Sequence, residues 1–166
     1  MSGTIDGGIG IRDFHASLAA FGDDVQGKAT AVFQEAGIVT AEAIVIGNEF
    51  GPGVPVDTGF LRASFRIGIG QPVDGPSDPP SHAGRTPGSG EVFPAEIDTR
   101  AAATATLGDW IYITTNVGYA EYLEDGGRIR RFGPYPGNDT PFIAPVEQRF
   151  AQIVEDAAKR VGYGEP

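Results

Sequence analysis

Between residues 11 and 47 apolar side chains recur at steps of three and four: Phe14, Leu18, Phe21, Val25, Ala29, Val32, Ala36, Val39, Ala43 and Ile46. That spacing draws one stripe along a helix. At 1.5 Å per residue the helix would run roughly 50 Å, more than a small globule can cover. Something must lie along it, either a sheet and second helix of the same chain or a neighbouring subunit. Gly22, Gly27 and Gly37 each weaken it by about 1 kcal/mol relative to Ala, which predicts a kink or break near Gly22 or Gly37. Gly51-Pro52-Gly53 predicts its end, glycine supplying the left-handed cap and proline being unable to continue. The Gly-rich residues 1–10 read as a flexible arm. Gly7, Gly8 and Gly10 follow no strand and precede no Lys-Ser/Thr, so they do not make a phosphate loop.

The next stretch, Val-Pro-Val-Asp-Thr-Gly-Phe-Leu-Arg-Ala-Ser-Phe-Arg-Ile at 54–67, turns the chain. Pro55 holds Val54 extended. Asp57 is placed to cap a helical turn over Thr58–Leu61. From Arg62 onward Ala63, Phe65, Ile67 and Ile69 alternate with polar or small residues, the period of a half-buried strand. Residues 71–98 are rich in Pro and Gly and read as a long loop insertion, too polar to offset its ordering entropy.

Residues 99–107 fit helix or strand; the Ala-Thr alternation at 103–106 and the strand that follows assign them to a strand, with Gly108-Asp109 as a hairpin turn to a second strand over 110–117. Tyr119–Glu124 forms a short helical turn ended by Gly126-Gly127. Pro141 suits the first position of a last helix capped by Thr140. Phe142, Val146, Phe150, Ile153, Ala157 and Val161 give that helix its apolar face. The expected architecture is α+β in one domain over 1–166: a long N-terminal helix, a small antiparallel sheet and a C-terminal helix packed on the sheet.

Composition removes several functions. A formal charge of -10, from 22 acidic and 12 basic residues, disfavours sequence-specific nucleic-acid binding. The absence of cysteine removes disulfides and thiolate metal sites. No run approaches the ~18 apolar residues of a membrane span, and the N-terminus lacks the pattern of a signal peptide. His15 and His82 have no partner at catalytic or metal spacing. Asn138-Asp139-Thr140 matches a glycosylation sequon, which means nothing without secretion. No cofactor is expected.

Three landmarks occur in order: Val56-Asp57-Thr58-Gly59-Phe60-Leu61-Arg62-Ala63-Ser64, then Asn116-Val-Gly-Tyr119-Ala-Glu-Tyr-Leu-Glu124, then Pro141-Phe142-Ile-Ala-Pro145. Together with the preceding long helix, over roughly residues 11–158, they resemble the tail-completion or head-tail joining proteins (minor tail, neck proteins) of long-tailed bacteriophages. Asp125 before Gly126, where an aromatic or apolar residue is common, and the 71–98 insertion depart from the family pattern. The resemblance implies a non-enzymatic virion protein, assembled in the host cytoplasm. It implies a homo-oligomeric ring, hexameric in preference to dodecameric, at the head-proximal end of the tail. Its partners would be the tail tube protein and the head-neck connector, with DNA passing through the lumen and no membrane involved. A twelvefold ring would belong on the connector side.

Two other readings compete. Asp57-Thr58-Gly59 is also the triplet of aspartic proteases, which as a homodimer would pair two carboxylates sharing a proton. Against it, the triplet follows a helix and a Gly-Pro-Gly break, Phe60 fills a position that is normally small, and a long helix is foreign to an all-β protease. The structural reading makes Asp57 a cap, Gly59 a bend and Leu61 a core residue, with Arg62 paired to Glu121 or Glu124. Arg128, Arg130 and Arg131 form the only basic cluster of the sequence; they are candidates for an intersubunit or lumen-facing loop, or for direct DNA contact.

Overall fold

The computed structural model describes residues 8–55, 59–77, 97–125 and 141–163, with side chains from residue 13 onward. The fold class is α+β. The elements are α1 (Gly8–Val45), α2 (Phe60–Ser64), β1 (Arg66–Ile69), a 3-10 turn (Ala102–Thr104), β2 (Ile111–Thr114), α3 (Ala120–Glu124), α4 (Ala144–Gln148) and α5 (Phe150–Arg160).

α1 is one unbroken helix of 38 residues. The break expected at Gly22 or Gly37 does not occur. Gly37 serves close packing instead, since a Cβ there would meet the Ile111 side chain at 2.5 Å. The arm expected over 1–10 is already helical from Gly8; residues 1–7 lie outside the described residues. The helix also stops earlier than Gly51-Pro52-Gly53. The amides of Ile46 and Gly47 both bond the Glu42 carbonyl at 2.9 Å, and Gly47 takes φ 97. Glycine at this position closes the helix without Cβ strain. Residues 48–54 then double back: Phe50 N–H bonds the Asn48 side chain at 2.9 Å, and Val54 N–H reaches the Val45 carbonyl at 3.2 Å.

Among the described side chains of α1, burial is confined to the second half. Ala36, Val39, Ala41, Ala43, Ile44 and Val45 are buried, whereas residues 13–27 are exposed throughout. α5 lies along the covered half. The last helix was expected on the sheet; its main contact is with α1, where Ile153 and Ala157 join the core formed by Val39, Ala43, Phe50, Phe60, Leu61, Phe65, Phe142 and Val146. Arg160 fastens the pair by reaching Glu35 at 3.3 Å and Glu49 at 3.6 Å while holding Asp156 at 2.9 Å.

β1 and β2 form an antiparallel ribbon in the register Arg66↔Thr114, Ile67↔Ile113, Gly68↔Tyr112, Ile69↔Ile111. A two-stranded ribbon needs a packing partner. Here Ile67 packs with Ala41 of α1 and Ala102 of the 3-10 turn. β1 begins four residues later than the alternation from Arg62 suggested, because Phe60–Ser64 are helical. Residues 99–107 are not a strand either. Asp98 bonds Arg100, Thr104 bonds the Ala101 carbonyl, and Asp109 accepts from the amide and hydroxyl of Thr106. Such local side-chain bonds hold turns in place of a ladder. Gly108-Asp109 therefore belongs to a turn leading into β2 and not to a hairpin.

Of the insertion, residues 71–77 fold back over the ribbon, with Thr114 Oγ donating to the Val73 carbonyl at 3.0 Å. Gly68 makes room for the Gln71 carbonyl. Residues 78–96 lie outside the described residues.

Candidate functional site

α2 begins at Phe60, one turn-residue after Gly59, which adopts φ 82 with no side-chain cap. The helical turn expected over Thr58–Leu61 is thus shifted to Phe60–Ser64. Gly59 makes the bend by its backbone, and its carbonyl accepts the Ala63 N–H at 3.0 Å. Asp57 and Thr58, and with them the expected cap, lie outside the described residues. Leu61 enters the core as expected. Arg62 Nε donates to the Val54 carbonyl at 2.9 Å, tying the end of α2 to the chain that enters it.

Ser64 is fully buried and polar, so its hydroxyl needs partners. It donates to the Leu61 carbonyl at 2.7 Å and stands 2.6 Å from the Thr115 hydroxyl. With the Ser64 proton on Leu61, Thr115 is the donor of that pair, and its oxygen in turn accepts the Val117 N–H at 3.3 Å. One residue on, Phe65 meets Phe142 edge-to-face, ring centres 6.4 Å apart at 88°.

Glu124 does not pair with Arg62. Its carboxylate accepts three backbone N–H groups: Phe142 at 2.9 Å, Ile143 at 2.8 Å and Ala144 at 2.9 Å. These are the unpartnered donors at the start of α4, and a carboxylate there satisfies both the hydrogen bonds and the local dipole. The last helix starts at Ala144 and not at Pro141. Pro145, in its first turn, has no N–H to lose. The helix is also interrupted at Arg149, whose guanidinium donates to the Glu49 carbonyl at 2.7 Å.

The three sequence landmarks therefore meet in one joint. Ser64 comes from the first, Glu124 from the second, and Phe142 from the third; Phe65 immediately follows the first and Thr115 immediately precedes the second. Tyr119 packs at the edge of the same core. Asn116 lies at its rim, 3.4 Å from the Asp74 carboxylate and the Gly75 carbonyl. Gly126, Arg128, Arg130 and Arg131 lie outside the described residues. Sequence reasoning missed Thr115 and Phe65 as members of the joint. The signal for Glu124 was present but misdirected: a carboxylate sits before a helix start that needs an anion.

An open groove of ≈ 710 Å³ runs between Ala63–Ile67 and Ile97–Ala101. Its charged groups are already engaged. Arg66 donates to the Ala63 and Phe65 carbonyls, both at 2.7 Å. Arg100 holds the Asp98 carboxylate at 2.6 and 2.8 Å, which lowers the Asp98 pKa to about 2. Asp109 is also lowered, chiefly by the Thr106 amide. Both shifts come from turn architecture at the surface. Among the described residues no group of three His, Asp or Glu is arranged to hold a metal ion, and no helix is long and apolar enough to cross a membrane. No family model, curated protein or solved structure matches the chain.

Proposed function

We propose that this chain is a structural subunit of a bacteriophage neck or tail end, forming a homo-oligomeric ring that joins the tail to the head connector. What supports the reading is the joint built from Ser64, Thr115, Glu124 and Phe142. The polar groups that the landmarks contribute to it are spent on one another and on backbone atoms. Used this way, the Glu124 carboxylate fixes the start of α4 and shapes a corner.

A closed ring requires heterologous interfaces with cyclic symmetry. Six copies suit a sixfold tail tube, and the subunit then acts by assembly alone, without catalysis or cofactor. Twelve would move it to the connector side. DNA would pass through the lumen without base-specific contact, consistent with the charge of -10. Native mass measurement with particle imaging tests this directly. A ring of six is the expected result, and a chain that stays monomeric or dimeric at every concentration overturns it.

A further inference from the structure

We propose that the exposed first half of α1 is a self-association helix, whose seam Phe14–Leu18–Phe21–Val25 docks on a second copy of this chain. The inference rests on the homo-oligomer part of the proposed function and names its interface. Phe14 is 63% exposed, Leu18 55%, Phe21 64% and Val25 36%. Surface apolar residues are ordinary when scattered, but these four are contiguous on one helix face.

Their spacing says what kind of partner fits. Steps of four, three and four give the 3.5-residue repeat of a helix that packs on another helix. In that register Leu18, Val25, Val32 and Val39 hold the a positions along α1. The d positions are Phe14 and Phe21 in the exposed half, then Lys28, Glu35 and Glu42 in the half covered by the chain's own body. The second apolar row coincides with the described side chains that stand exposed.

The charges permit self-pairing. Asp13 and Asp23 fall at c and f, off the seam. Asp24 alone flanks it, and Lys28 holds that carboxylate at 3.1 Å. In an antiparallel pairing Asp24 faces Ser17 of the second copy and no like charges are opposed, whereas a parallel one would set Lys28 at d against its own counterpart, so the charges favour the antiparallel pairing. Gly22, with open space around it, and Ser17 let the backbones approach.

The areas are also sufficient. The four side chains expose on the order of 400 Å², taking about 200 Å² for a phenylalanine. Burying that face on both copies, with the small flanking residues, removes about 1,000 Å² in total, the lower bound of a specific interface. Helix stability adds a reason for a partner. A solvated stretch of this length containing Gly22 and Gly27 gains almost nothing from propagation, and most helical stability comes from packing.

The test is sedimentation equilibrium combined with amide hydrogen exchange, on the full chain and on Leu18→Asp/Phe21→Asp. Both positions are exposed, so the monomer of the variant should melt as the wild type does. Wild type should associate, with amides 13–27 gaining protection as concentration rises. The variant should raise the dissociation constant at least about a hundredfold. Oligomers that persist in the variant, or amides 13–27 that stay unprotected while the protein is associated, overturn the seam and leave the ring reading intact. Seam-dependent dimers without rings would keep the seam and sink the ring. A monomeric wild type that binds anionic lipid vesicles through Leu18 and Phe21 would assign the face to a membrane surface and overturn the proposal.

Discussion

The Glu124 carboxylate accepts the Ile143 backbone N–H at 2.8 Å, joining α3 to the start of α4. The same group takes the amides of Phe142 and Ala144. Glu124→Ala should cost about 2–3 kcal/mol in urea unfolding, since charge-assisted bonds to otherwise orphaned amides are lost together. Glu124→Gln keeps one acceptor oxygen and should cost about half as much. Equal stability of all three proteins would show that water replaces the carboxylate.

A second prediction concerns the buried hydroxyl pair. Ser64→Ala removes the donor to Leu61 and the acceptor for Thr115, and should cost about 1–3 kcal/mol. Thr115→Val should cost about 1 kcal/mol for the same reason. The double variant should lose less than the sum, by about 1 kcal/mol of coupling, in a thermodynamic cycle of chemical denaturation. Strict additivity would mean that the hydroxyls act separately.

Glycines at three positions should respond in opposite directions. At Gly51 a Cβ would press on the Val146 side chain and lie 2.9 Å from the Ala43 carbonyl, so Gly51→Ala should lower stability by about 1–3 kcal/mol. At Gly53, φ 74 adds backbone strain, and Gly53→Ala should do the same. At Gly27 nothing stands within 4 Å and the residue is mid-helix, so Gly27→Ala should raise helicity and stabilise α1 by up to about 1 kcal/mol. Far-ultraviolet circular dichroism and thermal melts separate the cases.

The Asp98 carboxylate should titrate about two units below an ordinary aspartate, because Arg100 donates to it from its side chain and backbone. The folded value is depressed. Its contribution to stability is therefore complete above the unfolded pKa near 4 and is lost as pH falls toward 2. Carbon-detected NMR of the Asp98 carboxyl should show a midpoint of about 2, returning toward the ordinary value in Arg100→Ala. An unshifted midpoint in the wild type would dissolve the pair in solution.

Much of the helical frame was legible because apolar spacing reports period directly: α1 and the face of α5 follow it. What periodicity omits is coverage. The stretch from Phe14 to Val25 reads in sequence as a buried helix face, as does that from Val32 to Ala43, yet only the latter is packed. Alternation misled twice. Over 62–65 a short run fits both periods, and the Ser64–Leu61 bond closes it as helix. Over 103–106 Ala and Thr are both small, so their alternation carries little packing information, and the Asp98, Thr104 and Asp109 side chains decide the backbone. The joint was partly visible. Its three landmarks stand in order along the chain, but which groups touch depends on tertiary approach, and Glu124, which by sequence suits a guanidinium partner, takes backbone amides.

The Arg160–Glu35 contact spans 125 residues of chain. During synthesis the inner face of α1 therefore emerges long before α5, the helix that covers it. At about 5–20 residues per second the delay is on the order of ten seconds. For that interval the face of α1 that α5 will cover is bare, and the nascent chain carries an oily ridge beyond what the ribbon and the 3-10 turn can shield. A cell making this protein in quantity must keep such ridges apart until the last helix arrives.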